Sequence, residues 1–237
     1  MNIQKSINVI IASAALTAVA VGASFAQGNL VTGSSITPTA TTVNGNEVVF
    51  TTNTFAAPSN RYTGTLYAAI FQESSAANPL GGLTFVYQAS NDTASLEFLD
   101  RLTPVGFTGY QTSVFYSTQA LNGGLGTGTV APNTVVRLLP TGDSLAFRFE
   151  TLGGTPGQGI VQNGQTTDVV VVRTDATTYM TSLSGVSDGT TANVASYSPG
   201  PSSTVPEPAT LAPFALGGLG LLGLIVRKTR RTNGAAA

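Results

Sequence analysis

Residues 145–150 read Leu-Ala-Phe-Arg-Phe-Glu, and they decide the fold class. Large apolar side chains recur at every second position, Leu145, Phe147 and Phe149, with Arg148 and Glu150 between them. Successive side chains of a strand point to opposite faces. The pattern therefore sets three apolar groups inward and the charges outward. The same period extends on both sides. In residues 110–118, Tyr110, Thr112, Val114 and Tyr116 share a face. Residues 47–51 follow an Asn44-Gly45 turn, 62–72 form a long run of β-formers, and 83–88 follow Gly81 and Gly82. Residues 134–139 make a short apolar run that Pro140 ends. Residues 167–174 hold four consecutive valines, Val169 to Val172, which predicts a strand covered on both faces. Residues 179–183 and 192–197 complete the set.

Turn residues separate these runs, at Thr141, Gly142 and Asp143, at 153–157 (GGTPG) and at Asn163 and Gly164. Residues 122–128 (NGGLGTG) read as a loop. One stretch, 94–102, departs from the period. Leu96, Leu99 and Leu102 recur at intervals of three, so a helical turn or a short strand is expected there. Many short strands and no long helix predict an all-β body over residues 27–198, an antiparallel β-sandwich. A closed barrel is the lesser alternative. Immunoglobulin-like or jelly-roll order stays open, because strand pairing is not written locally.

Composition excludes several chemistries. The chain of 237 residues has no His and no Cys. Ser-His-Asp and Cys-His catalysis, Cys/His zinc sites and disulfides are thereby removed. Charged residues are 9% of the chain, against about 25% in an average soluble domain. Between residues 27 and 198 there are ten acidic residues and five arginines, a net charge of −5. That balance argues against nucleic acid as a partner.

The two ends read as addresses. Lys5 precedes the apolar residues 9–21, and Ser24 and Ala26 are small residues placed for signal-peptidase cleavage between Ala26 and Gln27. Residues 1–26 are therefore expected to be a signal peptide that engages the Sec translocon. Residues 199–208 form a Ser/Pro linker that ends in Val205, Pro206, Glu207 and Pro208. Residues 209–226 contain no charge, and 18 residues of helix at about 1.5 Å each give about 27 Å, enough for a bilayer core. Arg227, Lys228, Arg230 and Arg231 follow at once, so 227–237 reads as a basic cytoplasmic tail.

Val205, Pro206, Glu207 and Pro208, then the apolar span, then the basic cluster, resemble the PEP-CTERM sorting signal. Substrates of exosortase, a membrane cysteine transpeptidase, carry that signal. Residues 232–237 extend past the basic cluster, further than many such tails. Residues 81–118 and 164–179 also look like the bodies of other PEP-CTERM proteins, more diffusely. The resemblance implies an exosortase-like partner, a precursor in the inner membrane, and a product at the cell surface or in the extracellular matrix. It also implies association with exopolysaccharide or biofilm.

Other constellations are weaker. Asp92, Glu97 and Asp100 lie close enough in sequence to pair as carboxylates of a hydrolase, against the simpler reading of solvated turn charges. Structural calcium has candidate ligands in Asn91, Asp92, Asp143, Asp168, Asp175 and Asp188, but they form no EF-hand run. The aromatics Tyr62, Tyr67, Phe71, Phe85, Tyr87, Phe107, Tyr110, Phe115 and Tyr116 are either core and sheet packing or a sugar platform. The sequence therefore predicts a non-enzymatic exported envelope or matrix protein without a required cofactor. A carboxylate-based envelope hydrolase and an unprocessed membrane-anchored binding domain are the alternatives.

Overall fold

The computed structural model describes residues 29–121, 124–149 and 160–201. Twelve strands occur in chain order: β1 Ser35–Ile36, β2 Thr39–Ala40, β3 Gly45–Ala56, β4 Thr63–Glu73, β5 Thr84–Asn91, β6 Arg101–Pro104, β7 Thr112–Ser117, β8 Thr134–Arg137, β9 Leu145–Arg148, β10 Val169–Thr174, β11 Tyr179–Asp188 and β12 Thr190–Pro199. Among the described residues helix is limited to 3-10 turns, at Pro58–Asn60 and at Gly124. The all-β expectation is met. The expected signal peptide and the 209–226 helix lie outside the described residues.

The strands form two six-stranded sheets, ordered β1-β8-β9-β6-β11-β12 and β2-β7-β10-β5-β4-β3. All pairings are antiparallel except β2 with β7, which is parallel. The second sheet is thus mixed, a correction to the purely antiparallel expectation. The reason is local. The chain leaves β1 at the edge of the first sheet, passes Thr37 and Pro38, and reaches the edge of the second as β2. Pro38, which has no N–H to continue a ladder, separates the two strands, and β2 takes its place beside β7 in the other sheet. This switch covers one open side of the paired sheets. On the opposite side β3 and β12 meet, where Asn53 Nδ2 donates to the Ala195 carbonyl at 3.1 Å.

The alternation read in 145–150 holds over 145–149, and Glu150 lies outside the described residues. Leu145, Phe147 and Phe149 are buried in the main core, although Ala146 on the other face is buried as well. That core takes residues from both sheets: Leu102, Val135, Phe147, Val186 and Val194 from the first, and Leu66, Ile70, Phe85, Val114, Val170 and Val172 from the second. Each such side chain contributes about 1.5–3 kcal/mol by leaving water. Polar atoms in this layer find partners across the sheets. Tyr62 Oη donates within 2.8 Å of the Val186 and Thr190 carbonyls, and Tyr87 Oη donates to the Tyr197 carbonyl at 2.6 Å.

The valine run does what its composition predicts. Val170 and Val172 face the shared core, whereas Val169 and Val171 join Val43, Ala69, Phe71, Val86, Phe115 and Leu125 in a second cluster. The outer face of β10 is covered by chain from the 41–44 and 121–130 connections. Loop residues bind it through Thr129 N–H to the Thr166 carbonyl and Asp168 N–H to the Val130 carbonyl, both 2.8 Å.

The 94–102 stretch is not helical. Residues 94–98 are turn and bend, and β6 begins at Arg101. Leu96 is 80% exposed, so the spacing of three did not mark a buried stripe. Leu99 and Leu102 are core residues placed by strand geometry instead.

Candidate functional site

Carboxylates come first, because the sequence offered them as chemistry. Asp92 Oδ2 accepts from Thr63 Oγ1 at 2.7 Å. Glu97 pairs with Arg61. Asp100 accepts from Ser187 Oγ at 3.2 Å and lies 3.7 Å from Arg101. Each of the three thus has its own partner, and Asp188 feels the charges of Asp100 and Glu97. Burial, then the charges of Asp100 and Glu97, push the Asp188 carboxyl above the usual range, against the opposing pull of Arg61. The proposed calcium ligands do not converge. Asp143 accepts from Thr108 Oγ1, Asp175 from the Gln111 N–H, both at 3.0 Å. No group of three or more acidic side chains placed to hold a metal occurs among the described residues.

Asp168 is different. It is buried, 5% exposed. Burial raises its pKa. A raised folded pKa favours the protonated acid, so its contribution to stability is fully present below the unfolded value of about 3.9 and is lost as pH rises through the folded one. Asp168→Asn is expected to raise the urea midpoint at pH 7 and to change it little at pH 3. A lower midpoint at pH 7 would mean that the carboxylate has a favourable partner.

Most of the aromatics are packing. Tyr62, Phe71, Phe85, Tyr87, Phe107 and Phe115 are buried, which removes them from any sugar platform. Tyr110 is half-buried and borders a cleft. The cleft measures about 290 Å³ and is lined by Asn29, Thr32, Tyr110, Gln111, Arg137 and Thr141 among others. Arg137 lies beneath it, 5% exposed. Its five N–H groups are all used. Nε donates to the Gly142 carbonyl, Nη1 to the Leu30 carbonyl and Thr112 Oγ1, and Nη2 to the Phe107 and Tyr110 carbonyls, between 2.7 and 3.1 Å. Every acceptor is neutral. Gly142 has φ +69°, and a Cβ there would lie 2.1 Å from Thr32 Oγ1 and 2.8 Å from Arg137 Nε. Only glycine can bring its carbonyl in this way.

Both ends of the body meet this corner. Asn29 Oδ1 accepts from the Thr112 N–H at 2.9 Å, and the Leu30 N–H donates to the Thr112 carbonyl at 2.8 Å. At the other end Tyr110 Oη donates to the Gly200 carbonyl, the Gly200 N–H donates to the Thr178 carbonyl at 2.9 Å, and Thr178 Oγ1 donates to the Pro201 carbonyl at 3.0 Å. Residues 107–112 thus anchor the place where the chain goes on toward residue 205.

Residues 204–231 match the family model described as the PEP-CTERM protein-sorting motif. The chain carries a PEP-CTERM sorting motif. No curated protein and no solved structure matches the chain. The PEP-CTERM motif implies exosortase-dependent sorting to the cell envelope, from a membrane-associated precursor. The match includes Val205, Pro206, Glu207 and Pro208 and the basic residues Arg227, Lys228, Arg230 and Arg231. These residues, and the Ala26 and Gln27 cleavage position, lie outside the described residues, as do 209–226. Among the described residues no helix is long and apolar enough to cross a membrane.

Sequence reading missed the cleft. Arg137 sits within the apolar run 134–139. Its signal was parity, because Val135 and Arg137 share the inward face of β8. Asn29 and Gln111 carried no signal, since nothing local tells two exposed amides that they will be neighbours.

Proposed function

We propose that the protein is a non-enzymatic envelope or matrix component, exported by the Sec translocon and signal peptidase and then sorted by an exosortase-like transpeptidase. Its β-sandwich body associates with extracellular polysaccharide. The observation that carries this reading is the order of parts. A folded β body ends at Pro199, and a sorting motif begins at residue 204. Four residues, 200–203, separate the two. The absence of His and Cys from the sequence supports a binding rather than a catalytic role. So does the engagement of Asp92, Glu97 and Asp100 by Thr63, Arg61 and Ser187. No metal or cofactor is required by the reading.

The test is the intact mass of the protein from its own cells, with envelope and medium analysed separately. A chain that starts at Gln27 and ends within 205–209, with or without added glycan mass, is the expected result. A chain that retains 209–237 at steady state would overturn processing and leave a membrane-anchored binding domain.

A further inference from the structure

We propose that the cleft over Arg137 binds a small hydroxyl-bearing carboxylate, of which a uronic acid residue of a polysaccharide is the type. This rests on the binding role given above and names its site and ligand chemistry. Three features of the corner point there. First, Arg137 is a buried cation with no carboxylate at ion-pair distance among the described residues. Its N–H groups are consumed by carbonyls and a hydroxyl, so it offers the cleft a positive field rather than a hydrogen bond. In a low-dielectric setting such a field reaches further than it would in water. Second, the donors that a carboxylate needs stand at the mouth. The Asn29 Nδ2 and Gln111 Nε2 groups have no partner among the described residues, because Asn29 uses only Oδ1 and Gln111 only its main chain. Third, the remaining lining suits a sugar ring. Thr32 and Thr141 bring hydroxyls and Tyr110 an aromatic side chain, in a volume near the low end of the roughly 300–1,000 Å³ usual for small-molecule sites. The opposing charge is Asp175, whose Oδ1 holds the Gln111 N–H and whose field reaches Arg137.

This arrangement makes the effect of each charge change predictable in sign. Gln111→Glu and Asn29→Asp put a carboxylate at the mouth, and an Asp at 29 keeps the oxygen that accepts from Thr112. Both residues are exposed, so the fold is expected to persist. Asp175→Asn keeps an oxygen for the Gln111 N–H while it removes the opposing charge. The experiment titrates the full chain, in detergent, with a tetramer of galacturonic acid and with a neutral glucose tetramer. The expected result is binding of the uronate tetramer at least about tenfold tighter than the neutral one, weakened by salt. Gln111→Glu and Asn29→Asp should each weaken it about tenfold or more, and Asp175→Asn should tighten it. Equal binding of both tetramers, or variants that change nothing, would overturn the cleft as the site. Retention on polysaccharide extracted from the native envelope separates the two readings. Retention that survives Gln111→Glu and Asn29→Asp sinks this inference and spares the binding role. No retention by the unaltered protein sinks the role itself.

Discussion

Glu73→Gln is expected to destabilise the body by about 3–5 kcal/mol, read as a fall in the urea midpoint at pH 7. Glu73 and Arg173 are 6% and 3% exposed. Arg173 Nε donates to Glu73 Oε2 at 2.8 Å and Nη2 to Oε1 at 3.2 Å. The carboxylate also accepts from Thr84 Oγ1 at 2.7 Å and the Asn44 N–H at 3.0 Å. Arg173 in turn donates to Thr41 Oγ1 and the Thr42 carbonyl, and its guanidinium lies 5.0 Å from the centre of the Phe115 ring. Removing one charge leaves the other buried and unpaired, which costs far more than the pair itself is worth. Glu73→Gln with Arg173→Met removes both charges and is expected to recover most of the loss. A single variant within about 0.5 kcal/mol of the parent would show that water reaches the pair.

Glu73 also sets an acid limit. Burial alone would raise its pKa, but hydrogen bonds from Arg173, Thr84 and the Asn44 N–H, with the charge of Arg173, hold it below the ordinary value. A lowered folded pKa gives stability that is present above the unfolded value, about 4.3, and is lost as pH falls through the folded one. Asp168 works in the opposite sense. The stability profile is therefore expected to drop in acid in the parent and less so in the Glu73→Gln, Arg173→Met pair.

Phe147→Ala should cost about 3–5 kcal/mol. Phe147 is fully buried in the middle of the first sheet, paired with Leu102 on β6 and Val135 on β8. Its truncation opens a cavity that neighbours fixed in two ladders cannot close. Phe98→Ala is the control. Phe98 is 41% exposed and outside both core clusters, so a change within about 0.5 kcal/mol is expected. Similar losses in the two variants would mean that the core does not sit where the alternation places it.

Period-2 patterning was legible because it is a local consequence of strand geometry. It located β9 and the double burial of β10 from a few residues each. What it could not show was pairing. β1 and β2 are two-residue strands whose existence depends on distant partners, and β6 starts inside a run whose leucines also fit a helical spacing. The sorting motif was legible for a different reason, since it is a contiguous signal that needs no fold. The cleft was not, because it joins residue 29 to residues 111 and 137 through long-range contacts. Charged residues in buried strands were the readable hint. Arg137 follows the parity of Val135, and Arg173 that of Val169 and Val171.

The anchoring of both ends of the body on residues 107–112 gives it a direction. β12 runs ten residues from its hairpin turn to Pro199, about 33 Å at strand spacing. The cleft therefore lies at the same end of the body as residue 201. The opposite end, with Arg61, Glu97, Leu96, Phe98 and Asp188, is about 30 Å away at strand spacing. A ligand in the cleft would therefore sit beside the point where the body ends, about a strand's length from the far end.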